Sequence, residues 1–164
     1  LLETGQKPAL VEAGMLAFEA LRIAAGRPEI TDIDERSLPH EFDWLASSVH
    51  LSKGCYRGQE TVAKVHNLGH PPRRLVVLNL EVGDTLANPG EEISYQGKLV
   101  GKVLAGALHY EAGSLALGLV NRNTPYLDLN VCNMTASQRV LVPADAGKAA
   151  NLPRPSAFKL SGKK

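Results

Sequence analysis

The sequence predicts an α+β chain that begins with short helices and ends in a small antiparallel barrel or sandwich. Near the N-terminus an Ala- and Leu-rich stretch, residues 15–25, is followed by Gly26 and Pro28, which are helix stop signals. After Pro72, short strand patterns alternate with turn residues, and no long helical pattern interrupts them. Such a series is typical of a small barrel or sandwich.

Residues 15–25 predict a helix of about three turns. One side of it is expected to be buried through its apolar residues Leu16, Phe18, Leu21 and Ile23. The polar stretch 29–40 predicts a loop, and residues 41–44 predict a short helical turn. Residues 48–51 alternate between polar and apolar side chains, which predicts a short strand.

A second short helix is predicted over residues 59–65, and the Gly- and Pro-containing stretch 67–72 ends it. Gln96-Gly97 between two strand patterns is a hairpin signal. The predicted strands cover residues 74–82, 92–95, 98–104, 114–120 and 138–142, with a further one within 127–134.

The change in pattern divides the chain into three parts. Residues 1–72 form the helical part, residues 73–143 form a separable β-barrel domain, and residues 144–164 form a tail rich in Ala, Pro, Lys and Ser. Because this tail has few residues that could build a core, it is expected to be disordered.

Composition argues against several classes of function. A net charge of +1 leaves no basic face for nucleic acid. No apolar run approaches the ~20 residues of a membrane span. Two cysteines are too few for a disulfide scaffold, so a reducing, cytoplasmic compartment is expected. The acidic residues of 29–41 match no calcium loop, and the histidines show no zinc spacing, so no metal site is predicted.

The octapeptide Lys53-Gly54-Cys55-Tyr56-Arg57-Gly58-Gln59-Glu60 contains the strongest chemical signal. Lys53 and Arg57 bracket Cys55 with positive charge, and the helix that starts at Gln59 adds its partial positive N-terminus. These effects favour a thiolate and therefore a reactive cysteine. The alternative is a buried structural cysteine in a tight turn, and the residues alone leave both interpretations open.

Three other residues bear on a site at Cys55. His66 is a candidate proton partner for this cysteine because, at helical spacing from Val62, it could point toward Cys55, and His40 is a second candidate. Cys132 lies in a strand-like segment beside Val131, which indicates a structural role.

Residues 53–60 resemble the K-G-C-Y-x-G-Q-E signature of the YgfZ-type folate-binding family, with Arg57 at the variable position. The neighbouring sequence agrees: Pro39-His40-Glu41 is similar to the family's P-x-E segment, and Pro72-Arg73-Arg74-Leu75 is similar to the segment after the family's motif. The resemblance covers about residues 14–142. The family is related to the glycine-cleavage T-protein, an aminomethyltransferase.

The resemblance implies the end of a ferredoxin-like folate-binding domain followed by a C-terminal barrel. It also implies a tetrahydrofolate-dependent role in iron–sulfur cluster assembly or repair, with Cys55 as the working residue. Folate and iron–sulfur proteins or their assembly machinery are then the expected partners. Glu41 is the candidate carboxylate for the folate ring, whereas Arg22 is expected to be structural. Because family pockets are built largely by a preceding region, this chain alone is expected to bind tetrahydrofolate weakly.

Two further interpretations remain open from the sequence. The chain could belong to an aminomethyltransferase of the glycine-cleavage type, although T-proteins lack the cysteine motif. It could also be an interaction domain without catalysis, in which the octapeptide is a structural turn. The resemblance to the cysteine-containing family favours a protein that is related to aminomethyltransferases but is not a classical turnover enzyme.

Overall fold

The computed structural model describes residues 13–81 and 85–145 of the chain, apart from the side chains of Ala46 and Leu68. The predicted tail, except for its first two residues, lies outside the described residues. Within them, no helix is long and apolar enough to cross a membrane.

In the described part of the chain, three α-helices and two 3-10 helices precede the barrel. Helix α1 spans Met15–Ala24, α2 spans Leu45–Ser48 and α3 spans Gln59–Leu68. The 3-10 helices span Ile30–Asp32 and Pro39–Phe42. The predictions of α1 and α3 are confirmed. The prediction of a strand over residues 48–51 is wrong, because Ser48 ends α2 and the following residues form no ladder.

Six antiparallel strands form a closed barrel in the order β1-β4-β3-β2-β5-β6. The first strand pairs with the last, so the barrel closes and each described strand has a neighbour on both sides. This confirms the predicted fold class. The strands are β1 Arg73–Leu80, β2 Glu92–Tyr95, β3 Lys98–His109, β4 Gly113–Asn121, β5 Leu129–Val131 and β6 Met134–Val140.

The tight hairpins follow from local turn chemistry. Gln96 and Gly97 join β2 to β3, and both have positive φ, at 49° and 75°. Two consecutive residues of this kind match the right-handed twist of a hairpin. Cys132 and Asn133 make the corresponding turn between β5 and β6, with φ of 52° and 61°.

Strands β1 and β4 bury side chains on both of their faces, and the barrel has two apolar clusters. One fills the barrel interior and includes Val76, Leu78 and Val120. The other lies between the outer face of the barrel and the helical part, where Ile23 and Phe42 pack with residues such as Leu75. Full burial of one such aliphatic side chain contributes roughly 1.5–3 kcal/mol. The second cluster therefore joins the helical part to the barrel.

The prediction of which side of α1 is buried is wrong. Ile23 is buried, but Leu16, Phe18 and Leu21 are 85%, 52% and 57% exposed. At ~100° per residue, Phe18 and Leu21 lie on the side opposite to Ile23. Ala20 completes the buried stripe instead, so the larger apolar side chains of this helix face outward.

A buried ion pair also crosses the boundary between the two parts. Arg73, the first residue of β1, donates from Nε and Nη2 to the two carboxylate oxygens of Glu41 at 2.8 and 2.9 Å. Its Nη1 donates to Asp34 at 2.9 Å. The boundary expected after residue 72 coincides with the start of β1, but the packing is shared across it. Independent folding of residues 73–143 stays a prediction.

Candidate functional site

The octapeptide forms an exposed turn that leads into α3. Lys53, Gly54 and Cys55 are exposed, and the Lys53 ammonium lies 5.2 Å from the centre of the Tyr56 ring. Gly58 precedes α3 with φ of 83°, a left-handed conformation that favours glycine. Its carbonyl accepts from Val62 N at 3.1 Å, which closes the first turn of the helix.

Gln59 and Glu60, the last two residues of the octapeptide, are the first two residues of α3. A carboxylate in the first helical turn interacts favourably with the partial positive charge of the helix N-terminus. Glu60 is exposed and Gln59 is half-buried. Glu60 therefore stabilises the start of the helix that supports the octapeptide.

A cavity of about 430 Å³ lies between the octapeptide and the segment that precedes the 3-10 helix Pro39–Phe42. Its volume lies within the range of small-molecule pockets. Three cations and one acid are among its lining residues. These are Arg36, Lys53, Arg57 and Glu35. Apolar walls come from residues such as Leu38, Val49 and Val62. The cavity therefore combines an apolar wall with an excess of positive charge.

Tyr56 stands at the wall of this cavity, and its hydroxyl is buried with no hydrogen-bond partner in the described part of the chain. A buried hydroxyl without a partner is unfavourable, so it is an open donor or acceptor for a bound molecule or water. Thr61, an exposed residue in the first turn of α3, also lines the cavity.

Cys55 is a free, exposed cysteine. It does not line the cavity, whereas its neighbours Lys53, Tyr56, Arg57 and Gly58 do. No hydrogen bond joins its sulfur to a described residue, His40 and His66 included. The thiol is therefore open to a reagent or partner at the rim of the cavity.

Glu41 lies apart from the cavity. Its carboxylate is fully buried, both oxygens accept from Arg73, and Oε2 also accepts from Leu38 N at 3.0 Å. Formation of these bonds raises the pKa of Arg73 well above its ordinary value, and the same guanidinium lowers the pKa of Asp34. A folate ring would have to compete with Arg73 for Glu41.

Arg22 occupies a structural position, as expected. Its guanidinium is buried and contacts Asp32 at 2.6 Å and Glu19 at 2.6 Å. It also donates to the carbonyl of Arg27 at 2.9 Å, so it links α1 to the following loop. No part of the arginine lines the cavity beside the octapeptide.

The two histidines proposed as proton partners face each other instead. The rings of His40 and His66 have centroids 6.3 Å apart. His40 is buried and neither of its ring nitrogens has a partner among the described residues; Nδ1 of His66 is likewise unpaired. Burial, together with His66, lowers the pKa of His40.

Cys132 has a different environment from Cys55. It sits in the β5–β6 turn, packs against the interior cluster of the barrel and contacts the carboxylate of Glu91. Burial, aided by this carboxylate, raises the pKa of Cys132 to about 11. The thiol therefore stays protonated at neutral pH, which fits the structural role expected from the sequence.

Within the described residues, no group of three or more His, Cys, Asp and Glu side chains could hold a metal ion. Sequence reasoning missed Arg36 and the Leu38–Pro39 wall of the cavity, because they lie 14 to 17 residues before Lys53, the first residue of the octapeptide. The P-x-E segment was the nearest available signal for this wall.

Three curated proteins share sequence similarity with this chain. An aminomethyltransferase of Rippkaea orientalis is 36% identical over 128 residues, which are 75% of this chain and 32% of that protein. The mouse mitochondrial iron-sulfur cluster assembly factor IBA57 is 31% identical over 155 residues, which are 88% of this chain and 42% of that protein. A chloroplastic putative transferase of Arabidopsis thaliana is 40% identical over 97 residues, 57% of this chain and 21% of that protein.

A solved structure shows the same fold. The glycine cleavage system aminomethyltransferase T from Bartonella henselae has a TM-score of 0.62 and 19% identity, and the match covers 77% of this chain and 37% of that one. No family model matches the sequence.

The chain spans less than half the length of each of these relatives. The resemblance recognised from the octapeptide is therefore confirmed: over part of their length, the chain is related to an aminomethyltransferase and to the cluster assembly factor IBA57, and it shares the fold of a glycine-cleavage aminomethyltransferase.

Proposed function

We propose that this chain is part of a tetrahydrofolate-binding protein that supports iron–sulfur cluster assembly or repair, with Cys55 as its reactive residue. The observation that carries the proposal is the exposed Cys55 at the rim of a cavity that the same octapeptide helps to build. The similarity to IBA57 over 88% of the chain supports the cluster role. The similarity to an aminomethyltransferase supports folate as the small molecule.

The cavity suits the acidic end of a folate better than its ring. Lys53, Arg57 and Arg36 can bind carboxylates through charge-assisted hydrogen bonds. The ring needs an acceptor for its donor groups, and Glu41 is engaged with Arg73. We therefore propose that residues outside this chain complete the ring site in the longer protein, and that the chain alone binds tetrahydrofolate weakly.

The test measures tetrahydrofolate binding by calorimetry on the longer protein and on this chain. We expect at least a tenfold weaker affinity for the chain alone. Replacement of both Lys53 and Arg57 by Gln in the longer protein should weaken binding further, with Lys98→Gln as a control for lost charge. Micromolar or tighter binding by the chain alone would contradict the incomplete-site proposal.

The reactive role of Cys55 is tested in cells that lack the parent protein. Cys55→Ala should abolish rescue of iron–sulfur enzyme activity and leave the melting temperature unchanged, because the side chain is exposed. Cys132→Ala is the matched control and should retain rescue. Full rescue by Cys55→Ala would refute the proposed role.

An aminomethyltransferase is the second candidate, favoured by the Rippkaea orientalis relative. In that case the longer protein would form methylenetetrahydrofolate from an aminomethyl-lipoyl carrier, with release of ammonia. Because the T-protein needs no cysteine at this place, Cys55→Ala would leave that activity intact. The two functions therefore differ in their response to a single substitution.

A non-catalytic interaction domain is the third candidate. The outward-facing Phe18 and Leu21 on α1 favour it, since large apolar side chains on one helix side are typical of a contact surface. Retained function of Cys55→Ala, together with loss of function on Phe18→Ser, would favour this interpretation.

A cytoplasmic location stays a prediction. The names of two of the relatives place those proteins in organelles, the chloroplast and the mitochondrion.

A further inference from the structure

His40 and His66 connect two elements that contribute to the walls of the cavity beside the octapeptide. His40 lies in the 3-10 helix Pro39–Phe42 and directly follows Pro39, which lines the cavity. His66 lies in α3, four residues after Val62, which also lines the cavity. Residues at this spacing share one side of a helix. Because the two rings have centroids 6.3 Å apart, the pair is part of the contact between α3 and the 3-10 helix.

The packed arrangement favours neutral rings at both positions. His40 is 2% exposed and His66 is half-buried. Both ring nitrogens of His40 and Nδ1 of His66 are buried without a hydrogen-bond partner among the described residues. Burial of a charged group without a partner costs far more than burial of a neutral polar group. An imidazolium at either position is therefore less favourable than a neutral imidazole.

The charged groups around His40 do not offset this preference. The elements in closest contact with its 3-10 helix are β1, α2 and α3. From β1 comes Arg73, which binds both carboxylate oxygens of Glu41, the residue after His40. From α3 comes His66, and α2 has no titratable side chain. Glu41 favours a protonated His40, but burial and His66 act against it more strongly and lower its pKa.

Uptake of protons by the pair changes the balance at this contact. Two imidazolium rings at 6.3 Å repel each other, and burial leaves the repulsion weakly screened. His66 can reach water because it is half-buried, whereas His40 is enclosed and reaches water only when α3 moves away from the 3-10 helix. Since α3 begins with Gln59 and Glu60, the last two residues of the octapeptide, such a movement also affects the cavity wall.

We infer that the His40–His66 pair is a pH-sensitive contact that regulates the cavity beside the octapeptide. When both rings are neutral, α3 packs against the 3-10 helix and the cavity keeps its shape. When the pair takes up protons, the contact opens, and Val62 and the octapeptide lose their support on this side. The effect on tetrahydrofolate binding rests on the function proposed above, whereas the opening of the contact does not depend on it.

The coupling between the two rings is tested by an NMR titration of the histidine side chains in this chain. We expect His40 to titrate below the ordinary pKa of ~6.5. His66→Gln should raise the pKa of His40, because it removes the repulsion between the rings and keeps a polar side chain. His50→Gln, at an exposed position, is the control and should leave that pKa unchanged. An unchanged pKa of His40 in His66→Gln would overturn the inference.

The opening of the contact is tested by amide hydrogen exchange of the same chain at pH 7.5 and pH 5, with each rate corrected for its intrinsic pH dependence. At pH 5, amides of α3 should exchange about three- to tenfold faster relative to those of β4, since one pKa unit is a factor of ten in the opening equilibrium. This change should be reduced in His66→Gln, abolished in His40→Phe with His66→Gln, and kept in His50→Gln. Because the double variant could misfold, His66→Gln is decisive, and an undiminished change there would contradict the inference.

The consequence for the ligand is measured by calorimetry on the longer protein, with tetrahydrofolate at both pH values. Binding should weaken at pH 5 in the unaltered protein and weaken less in His66→Gln, because the ionisation of the ligand itself is common to both. The same pH dependence in the two proteins would refute regulation of the cavity. Absence of tetrahydrofolate binding at either pH would instead contradict the proposed function, while the exchange experiment, which contains no folate, still decides whether the contact opens.

Discussion

The barrel and the segment that carries the octapeptide are built in opposite ways. In the barrel, every described strand pairs on both sides and the interior is apolar; Cys132, in the β5–β6 turn, is half-buried against this interior and contacts Glu91. The octapeptide segment consists of short helices and turns, and Cys55 stands exposed with no bonded partner among the described residues. The same residue type is thus held inert in one region and open to reaction in the other. Reactivity follows surroundings and not residue identity.

The contact between the two regions includes a set of ion pairs, formed by Arg73 with Glu41 and Asp34, which we call the joint. Arg73 at the start of the barrel binds Glu41 and Asp34 from the segment that also forms one side of the cavity. Buried ion pairs of this kind fix geometry strongly, because removal of one partner leaves an unpaired charge. The joint therefore positions the octapeptide side against the barrel.

The largest expected difference between the regions is in thiol reactivity. With a pKa of about 11, roughly one Cys132 in 10⁴ is a thiolate at pH 7, against a few per cent of a free peptide thiol. Iodoacetamide should therefore modify Cys55 on the order of a hundredfold faster than Cys132, measured by mass in single-cysteine variants. Glu91→Gln should increase the rate at which iodoacetamide modifies Cys132 and leave the rate at Cys55 unchanged. Equal modification rates of the two cysteines in the folded chain would contradict the predicted difference in reactivity.

The second prediction concerns the joint. Glu41→Gln should lower the free energy of unfolding by about 3 kcal/mol, because Glu41 is fully buried and Arg73 loses its bidentate partner. Asp34→Asn should cost less than about 1 kcal/mol, since that carboxylate is about a third exposed and screened by water. Denaturant unfolding of both variants measures the difference. Equal losses of unfolding free energy in the two variants would show that burial does not decide how much each carboxylate contributes to the joint.

The third prediction is a pH dependence of the octapeptide side. The pKa of His40 is lowered in the folded state, so the unfolded chain binds more protons below the ordinary pKa of ~6.5. Stability is therefore fully present above that pH and falls as the pH drops towards the folded pKa, by at most ~1.4 kcal/mol per unit. His66 and Glu41 are the titratable groups that act on His40.

His40→Phe should reduce the change of unfolding free energy with pH between pH 6.5 and 5. Urea unfolding at each pH measures this slope. His50→Gln, at an exposed position, is the control and should preserve the slope. An unchanged slope in His40→Phe would assign the pH dependence to other groups.

The smallest effect is expected at the two glycines of the octapeptide. Gly58→Ala should cost about 1 kcal/mol, because φ is 83° there and an L side chain resists that angle. Gly54 has no positive φ and open space around it, so Gly54→Ala should cost less than about 0.5 kcal/mol. Thermal unfolding of the two variants compares them. A larger loss of stability in Gly54→Ala than in Gly58→Ala would contradict the prediction that the positive φ decides which glycine is needed.

The local elements could be predicted because their signals are local. Gln96-Gly97 specifies a hairpin wherever it stands between strands, and Gly69, with φ of 84°, ends α3 as glycine does at many helix ends. The exposed face of α1 was not predictable from its apolar residues alone. Which stripe of the helix meets the barrel depends on β3 and β4, and Ala20 with Ile23 fits that surface.

The site was only partly predictable for a related reason. Residues 53–60 could be singled out because they are adjacent in the chain and chemically unusual. The role of Glu41 could not be inferred in the same way, since its partner Arg73 is 32 residues away.

The sequence by itself determined the order of the main helices and strands and the antiparallel barrel-like architecture, and it singled out the octapeptide as the candidate site. These depend on periodicity, turn residues and neighbouring side chains, which act over a few positions. Only the tertiary structure decided that Cys55 is exposed, that Cys132 faces Glu91, that Arg73 occupies Glu41 and that His40 meets His66. Burial and ion pairing depend on groups brought together from distant parts of the chain, and no local pattern specifies which of them will meet.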